Sequence, residues 1–339
     1  MKPVPGTDES IPTKSVLVIG STGYIGSRLV PRLLDNNLEV RVLVRNPEKL
    51  KTVPWRKRVT VFQGGLSDHS VLVDALSGVD VACHLVHSMG NSKDFERHER
   101  DTAHSFVDAA ETAGVRRVVH LSGLHPRDTS ELSPHLRSRL EVSRILLSSR
   151  VPAMVLQAGV VIGSGSASFE LIRHLTSRLP FMITPKWAAN SIQPISISDT
   201  IHYISAAIRL PFTEAQTVDI GGPDVLQYRD MMQLYAAEAG LHRRIMLTVP
   251  VLTPKLSSLW MGLVTPVPSG LAAPLVESMR CEAVATGNLG EEILGSPPRR
   301  AHELPRSSPP SAKGSGRTCS SGEVVRQRCP ERSCHPATE

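Results

Sequence analysis

Seven residues near the start of the chain offer chemistry through their backbone. Gly20-Ser21-Thr22-Gly23-Tyr24-Ile25-Gly26 follows the apolar run Val16-Leu17-Val18-Ile19 and leads directly into a helical pattern. Gly20 permits a sharp turn, and Gly23 lets the backbone approach a pyrophosphate with no Cβ between them. Gly26 lets the helix start lie close against the strand. The N–H groups of the helix start and the positive end of its dipole then face the phosphates. The spacing is G-x-x-G-x-x-G rather than the commoner G-x-G-x-x-G, so the strand before it and the helix after it carry the reading of a dinucleotide site. A second charged position supports that reading: Arg45 ends the next apolar run, Val40-Arg41-Val42-Leu43-Val44. An acid there would bind the 2′-OH of NAD, whereas an arginine welcomes a 2′-phosphate, so the expected cofactor is NADP(H) in preference to NAD(H). The alternative is a solvated arginine opening the Asn46-Pro47-Glu48-Lys49 turn. Cys319, Cys329, Cys334 and His335 lie close together near the C-terminus, but their spacings match no zinc template, so no metal site is expected.

The elements that must hold these residues alternate. Strands are expected near 16–19, 40–44, 59–62, 79–83, 118–121 and 153–156, and helices at 26–36, from Ser67, up to Gly114 and at 135–149. Ser133 serves as N-cap of that last helix, with Pro134 at its first position. Pro31 falls inside the first helix, where it should kink or loosen a turn at a cost of about 3 kcal/mol. Such alternation predicts an α/β fold, a doubly wound parallel sheet with helices on both faces that binds ligands at the carboxyl ends of its strands. Further on, Gly163-Ser164-Gly165-Ser166 opens a helix to Arg178, and Ile195–Ser198 reads as a strand whose Asp199 caps a helix to Arg209. Thr217–Ile220 reads as another strand, with a helix from about Tyr228 to Gly240. The expected organisation is a flexible arm over 1–13, a nucleotide-binding domain over 14–160, a small lobe over 161–290 interleaved with it, and a tail over 295–339. Residues 246–279 are apolar and broken by prolines, in the manner of a docking or lid segment.

Composition narrows the functional class. Aromatic residues make up 4% of the 339, too few for a base-stacking platform. The formal charge is +6, but eight Lys or Arg against four Glu lie beyond Gly295, which leaves +2 for the body. A nucleic-acid partner is therefore not expected. Of five cysteines only Cys83 and Cys281 lie before the tail, which fits reducing, cytoplasmic conditions. The N-terminus has no apolar h-region, and the uncharged stretch 256–276 is interrupted by Pro266, Pro268 and Pro274, so neither a signal peptide nor a membrane span is expected. The Pro-, Ser- and Gly-rich tail lacks apolar periodicity and is expected to be disordered.

Taken together, Gly20–Gly26, Arg116-Arg117-Val118-Val119-His120-Leu121-Ser122-Gly123, Ile195–Asp199 and Asp219-Ile220-Gly221-Gly222-Pro223 resemble the atypical and extended short-chain dehydrogenases/reductases, most of all the NmrA-like and NAD(P)H-binding members. The resemblance covers about residues 15–279. It implies a Rossmann-type sheet, NADP(H) as ligand and a C-terminal substrate lobe. Carried over by position, Gly20, Ser21, Thr22, Gly23, Tyr24, Ile25 and Gly26 hold the pyrophosphate and Arg45 the 2′-phosphate. Leu85 and Val86 pass the nicotinamide ribose. The family's Gly-Asp-Leu after strand three reads Gly64-Gly65-Leu66 here, so only the Leu66 backbone remains to meet the adenine. Ser122 takes the catalytic serine position. The Tyr-x-x-x-Lys pair is replaced by His135-Leu136-Arg137-Ser138-Arg139, whose i, i+4 ends share a helix face. His135 would donate the proton in place of the tyrosine, with His87 in reserve; the alternative is that His135 and Arg139 are ordinary surface residues of an amphipathic helix. His84 and His87, with Ser88 and Met89, flank the expected nicotinamide position, although a loop histidine is often structural. Trp187, with Phe181 and Met182, would wall the substrate lobe, or simply fill its core. The resemblance thus implies either an NADPH-dependent oxidoreductase on a small apolar carbonyl, enone or quinone, or a non-catalytic NADP(H)-binding sensor. It leaves the substrate open, and a homodimer open as the assembly.

Overall fold

The computed structural model describes residues 12–86, 94–126, 128–130, 132–249, 277–287 and 289–295. His87, Ser88, Met89, the apolar stretch 250–276, most of the N-terminal arm and all but Gly295 of the tail lie outside the described residues. A seven-stranded sheet forms the centre: β1 (Ser15–Ile19), β2 (Glu39–Val44), β3 (Thr60–Gln63), β4 (Val81–His84), β5 (Arg117–Gly123), β6 (Ala153–Ala158) and β11 (Gln216–Ile220). Their order is β11-β6-β5-β4-β1-β2-β3, and every pairing is parallel. The direction of winding reverses between β1 and β4, so their carboxyl ends open the crevice in which a doubly wound sheet takes its ligand. Strand residues buried on both faces, such as Val16–Val18 and Ala153–Leu156, explain the unbroken apolar runs.

Helices cover both faces. On one side α1 (Gly26–Asp35) and α6 (Ile197–Arg209) pack Leu29, Leu33, Ile204 and Ile208 against Val16, Val18 and Val42. On the other, α2 (His69–Leu76), α3 (Phe95–Thr112) and α4 (Pro134–Leu147) bury Leu72, Phe106 and Leu146 against Leu17 and Ile19. Helix α1 runs through Pro31 without a break; the missing N–H leaves one carbonyl, that of Ser27, without its usual donor. It closes on Asn37 at φ 60°, with Asn37 N–H bonded to Leu34 O and Leu38 N–H to Leu33 O. Gly114 closes α3 the same way, at φ 70°. Ser133 caps α4 as expected, accepting from Leu136 N–H at 3.3 Å.

The remaining elements build a smaller layer over the carboxyl edge of the sheet. They are β7 (Val161–Ile162), α5 (Ala167–Arg178), β8 (Phe181–Pro185), β9 (Ser191–Ile192), β10 (Ile195–Ser196), β12 (Leu226–Gln227), α7 (Tyr228–Glu238) and β13 (Ile245–Val249), while the short α8 (Gly290–Leu294) packs on β11 and α6. Ile172, Leu175, Met182, Met231 and Met279 form its core. One expectation changes here. The strand at 195 is two residues long, and the cap of α6 is Ser196, whose hydroxyl accepts from Asp199 N–H at 3.0 Å. Asp199 lies inside the first turn, where its charge favours the helix dipole. Asp219, at the end of β11, accepts from the amides of Thr286 and Gly287 at 2.9 and 2.8 Å, and so ties the 283–290 segment to the sheet.

Candidate active site

The glycine turn has the geometry its spacing implied. Gly20 stands at φ 92°, in the left-handed region, and a Cβ there would meet the Leu85 carbonyl carbon at 3.1 Å. Gly23 donates its N–H to Gly20 O at 3.0 Å, and a Cβ on it would stand 3.2 Å from that same oxygen. A Cβ on Gly26 would overlap the Gly20 carbonyl outright. The N-cap residue of α1 is Ile25, which has no side chain to satisfy the first amides. Ser21 is fully buried, and its hydroxyl has no hydrogen-bond partner among the described residues. An unpartnered hydroxyl beside a Cβ-free cradle at the head of a helix is what a pyrophosphate would fill, so the residues present fit a dinucleotide. Tyr24 lines the same cavity as the glycines. The Arg28 guanidinium lies over its ring at 4.1 Å, and its hydroxyl is buried beside Gly163. Burial raises that phenol's pKa above the ordinary range.

Arg45 is exposed at the end of β2, makes no hydrogen bond or ion pair among the described residues, and lays its Cγ along Gly65. Leu66 is half-buried against the α2 side of the sheet. The acid missing from position 65 has a neighbour that the sequence reading passed over. The Asp68 carboxylate reaches back to Gly65 and accepts its N–H at 2.7 Å. Leu85 continues β4, its N–H bonded to Ile19 O at 3.0 Å, and with Val86 it faces the cavity described next.

A cavity of about 420 Å³ runs from the glycine turn to the edge of β5 and α4. Gly20, Gly23 and Gly26 line one end, and Ser122, His135 and Arg139 line it as well. Ser122 is buried, with Ser143 Oγ 3.1 Å from its own Oγ. His135 is not an ordinary surface residue of α4: it is 6% exposed and stacks on Phe95 of α3, ring centroids 4.6 Å apart at 24°. Burial lowers its pKa below the usual imidazole value; Arg139 adds to that, while Glu277, Glu99 and Glu96 oppose it. Arg139 is half-buried, its guanidinium pressed against Gly123.

Burial decides between the alternatives at two places. His84 does not flank the cavity; it sits inside the sheet at 3% exposed, its ring 5.1 Å from Phe106 and 5.0 Å from His120. Desolvation pushes its pKa down to about 4, so it is neutral at pH 7. His120, its register partner on β5, lines the cavity instead and donates Nδ1–H to the His84 carbonyl at 3.0 Å. As register partners the two rings share one face of the sheet, and His84 is the one packed on Phe106. Trp187, Phe181 and Met182 do not wall the cavity either. Trp187 and Met182 belong to the core of the smaller layer, Trp187 edge-on to Tyr228 at 5.8 Å, and Phe181 is 53% exposed. Two cavity residues had no signal in the spacing alone: Tyr228, at the start of α7, and Glu99, on α3. Among the described residues, no group of His, Cys, Asp or Glu is arranged to hold a metal, and no helix is long and apolar enough to cross a membrane.

Comparison with known proteins agrees with this geometry. Residues 20–158 match the family described as NAD(P)H-binding. A 3β-hydroxysteroid dehydrogenase/Δ5→4-isomerase of Mycobacterium tuberculosis is 30% identical over 127 residues, covering 34% of this chain and 34% of its own length. Pinoresinol reductase 1 of Arabidopsis thaliana is 27% identical over 246 residues, 66% of this chain and 74% of the relative. The fold is shared with the NADP(H) complex of triphenylmethane reductase from Citrobacter sp. (TM-score 0.66, 17% identity, 85% of this chain and 98% of that one). It is shared too with the NADPH complex of a quinone oxidoreductase from Escherichia coli (TM-score 0.64, 19% identity, 85% and 97%). The seven-stranded parallel sheet and the glycine turn at its switch point agree with the matched family, and residues 20–158 form an NAD(P)H-binding domain with a Rossmann fold.

Proposed function

We propose that the chain is an NADP(H)-dependent oxidoreductase acting on a small, apolar carbonyl, enone or quinone. One observation carries the reading: a single cavity is lined by the glycine turn and by Ser122, His135 and Arg139. Gly20–Gly26 would hold the pyrophosphate, Arg45 the 2′-phosphate, and Leu85 and Val86 the nicotinamide end. The cofactor, when bound, supplies the hydride. Ser122 donates a hydrogen bond to the substrate oxygen as negative charge develops on it. The Arg139 guanidinium, at the same strand edge, is a fixed positive charge for that oxygen. It cannot act as a base. His135, in its protonated form, gives the oxygen its proton and is recharged from solvent. Leu124, Val142, Val160 and Met279 make the rest of the wall apolar, which suits a substrate with little besides its reactive oxygen to solvate. Supporting the class, the relatives named above include reductases and a dehydrogenase.

The depressed pKa of His135 favours the second reading, a cofactor-binding sensor without turnover, because burial disfavours the imidazolium that would donate the proton. An NADPH-oxidation screen over a carbonyl and quinone panel, run beside a fluorescence titration with NADPH and NADH, separates the two. Turnover on any member establishes the reductase. Tight NADPH binding with no oxidation across the panel replaces it with the sensor.

A further inference from the structure

Glu99 and Arg139 are the acidic and the basic side chain that line the cavity, one on α3 and the other on the facing helix α4. Phe95 and Glu99 stand four residues apart and share a face of α3. His135, Ser138 and Arg139 share the facing side of α4. Phe95 stacks on the His135 ring, and the Glu99 carboxylate accepts from the Ser138 hydroxyl. Glu99 is 7% exposed and Ser138 2%. A carboxylate buried this far loses much of its hydration, which packing between two helices does not require; Ala or Leu would serve. Buried acids of this kind collect at functional sites.

We propose that Glu99 is a positioning residue for the chemistry at Ser122: its carboxylate, anchored by Ser138, holds the Arg139 guanidinium at the edge of β5 and sets the charge that His135 faces. This rests on the reductase reading above. The charged groups around His135 are Glu96 and Glu99 from α3, Arg139 from α4 and Glu277 beyond residue 276. Of these, Glu99 also acts on Arg139, raising its affinity for a proton against the effect of burial, and on His84 beneath the cavity. It links the proton donor to the fixed positive charge.

The test uses the full chain with 13C-labelled imidazoles. The His135 signal is assigned by its loss in His135→Phe, and its titration is followed by NMR in wild type, Glu99→Gln and Glu99→Asp. Removing a negative charge destabilises imidazolium, so His135 should titrate at lower pH in Glu99→Gln and return toward wild type in Glu99→Asp. With a substrate from the screen, Glu99→Gln should lower kcat by about tenfold or more while the NADPH Kd stays within about twofold, the pattern of an interaction made in the transition state. Coincident His135 titrations, or unchanged kcat, overturn the positioning role. Should Glu99→Gln not fold, Ser138→Ala removes the anchor and keeps the charge. A fall in kcat then supports the role and unchanged kcat overturns it. A wild type that binds NADPH and oxidises none overturns the reductase reading itself, a result distinct from a working wild type whose His135 ignores Glu99.

Discussion

Gly23 and Gly26 occupy one turn but carry different steric loads. A Cβ on Gly23 would be a tight contact 3.2 Å from Gly20 O, whereas one on Gly26 would overlap that carbonyl. Gly23→Val should therefore fold with a melting temperature near wild type and lose NADPH binding, because its branched side chain fills the space of the pyrophosphate. Gly26→Ala should lower both, since the turn itself must open. Calorimetry beside fluorescence titration distinguishes the two outcomes. At Arg45, which has no partner among the described residues, Arg45→Asp should reverse the preference from NADPH to NADH, measured as the ratio of the two Kd values; a native chain that binds both alike would make Arg45 a solvated turn residue. Ser122→Ala should reduce kcat more than NADPH affinity, by about 100-fold if its hydroxyl is an oxyanion donor. The role of His135 has a pH signature. Its protonated form is the donor, so turnover should fall as pH rises through the depressed pKa, at a lower pH than an ordinary imidazole would give, and His135→Phe should remove that limb.

At the scale of elements, Asp80, between α2 and β4, fastens the sheet's entry. Its carboxylate accepts from the amides of Lys14 and Ser15 at 2.7 and 2.9 Å and pairs with Arg116 at 2.6 Å. The beginnings of β1, β4 and β5 thus meet on one side chain. Burial raises its pKa, but the two amide bonds and Arg116 outweigh burial, and the net shift is downward. A carboxyl whose folded pKa lies below its unfolded one contributes stability above the unfolded value, and that contribution is lost as pH falls through the folded one. Asp80→Ala should therefore cost about 2 kcal/mol at pH 7, the scale of charge-assisted bonds lost. Its deficit should shrink below about pH 4, near the ordinary Asp value. Denaturant titrations at pH 7 and pH 3 read both. Equal deficits at the two pH values would mean that the carboxylate's charge contributes nothing.

Over the whole molecule, residues beyond Gly295 contribute proline, serine, glycine and charge, with no apolar period to bury. A chain ending at Gly295 should keep its melting temperature within about 2 °C, under 1 kcal/mol for a body this size, and its NADPH affinity; a larger fall would mean that those residues dock on the body. Local chemistry alone determined much of the rest. The period of apolar residues marked the strands and helices, the glycine spacing marked the turn between β1 and α1, and Ser133-Pro134 marked the start of α4, because propensity, capping and backbone sterics act over a few residues. Strand order, and with it the crevice between β1 and β4, required the tertiary structure. So did the exchange of His84 for His120, since the two share one face of the sheet and only packing decides which is covered. Glu99 and Asp68 were invisible for a related reason. One lies in the polar first half of α3 and the other just before α2, and each gains its place only when a distant or turned-back group comes to meet it: the Ser138 hydroxyl of α4 for Glu99, the Gly65 amide for Asp68. Burial, which turns an ordinary acid or imidazole into a candidate for chemistry, is a property of packing between elements, and no spacing along the chain encodes it.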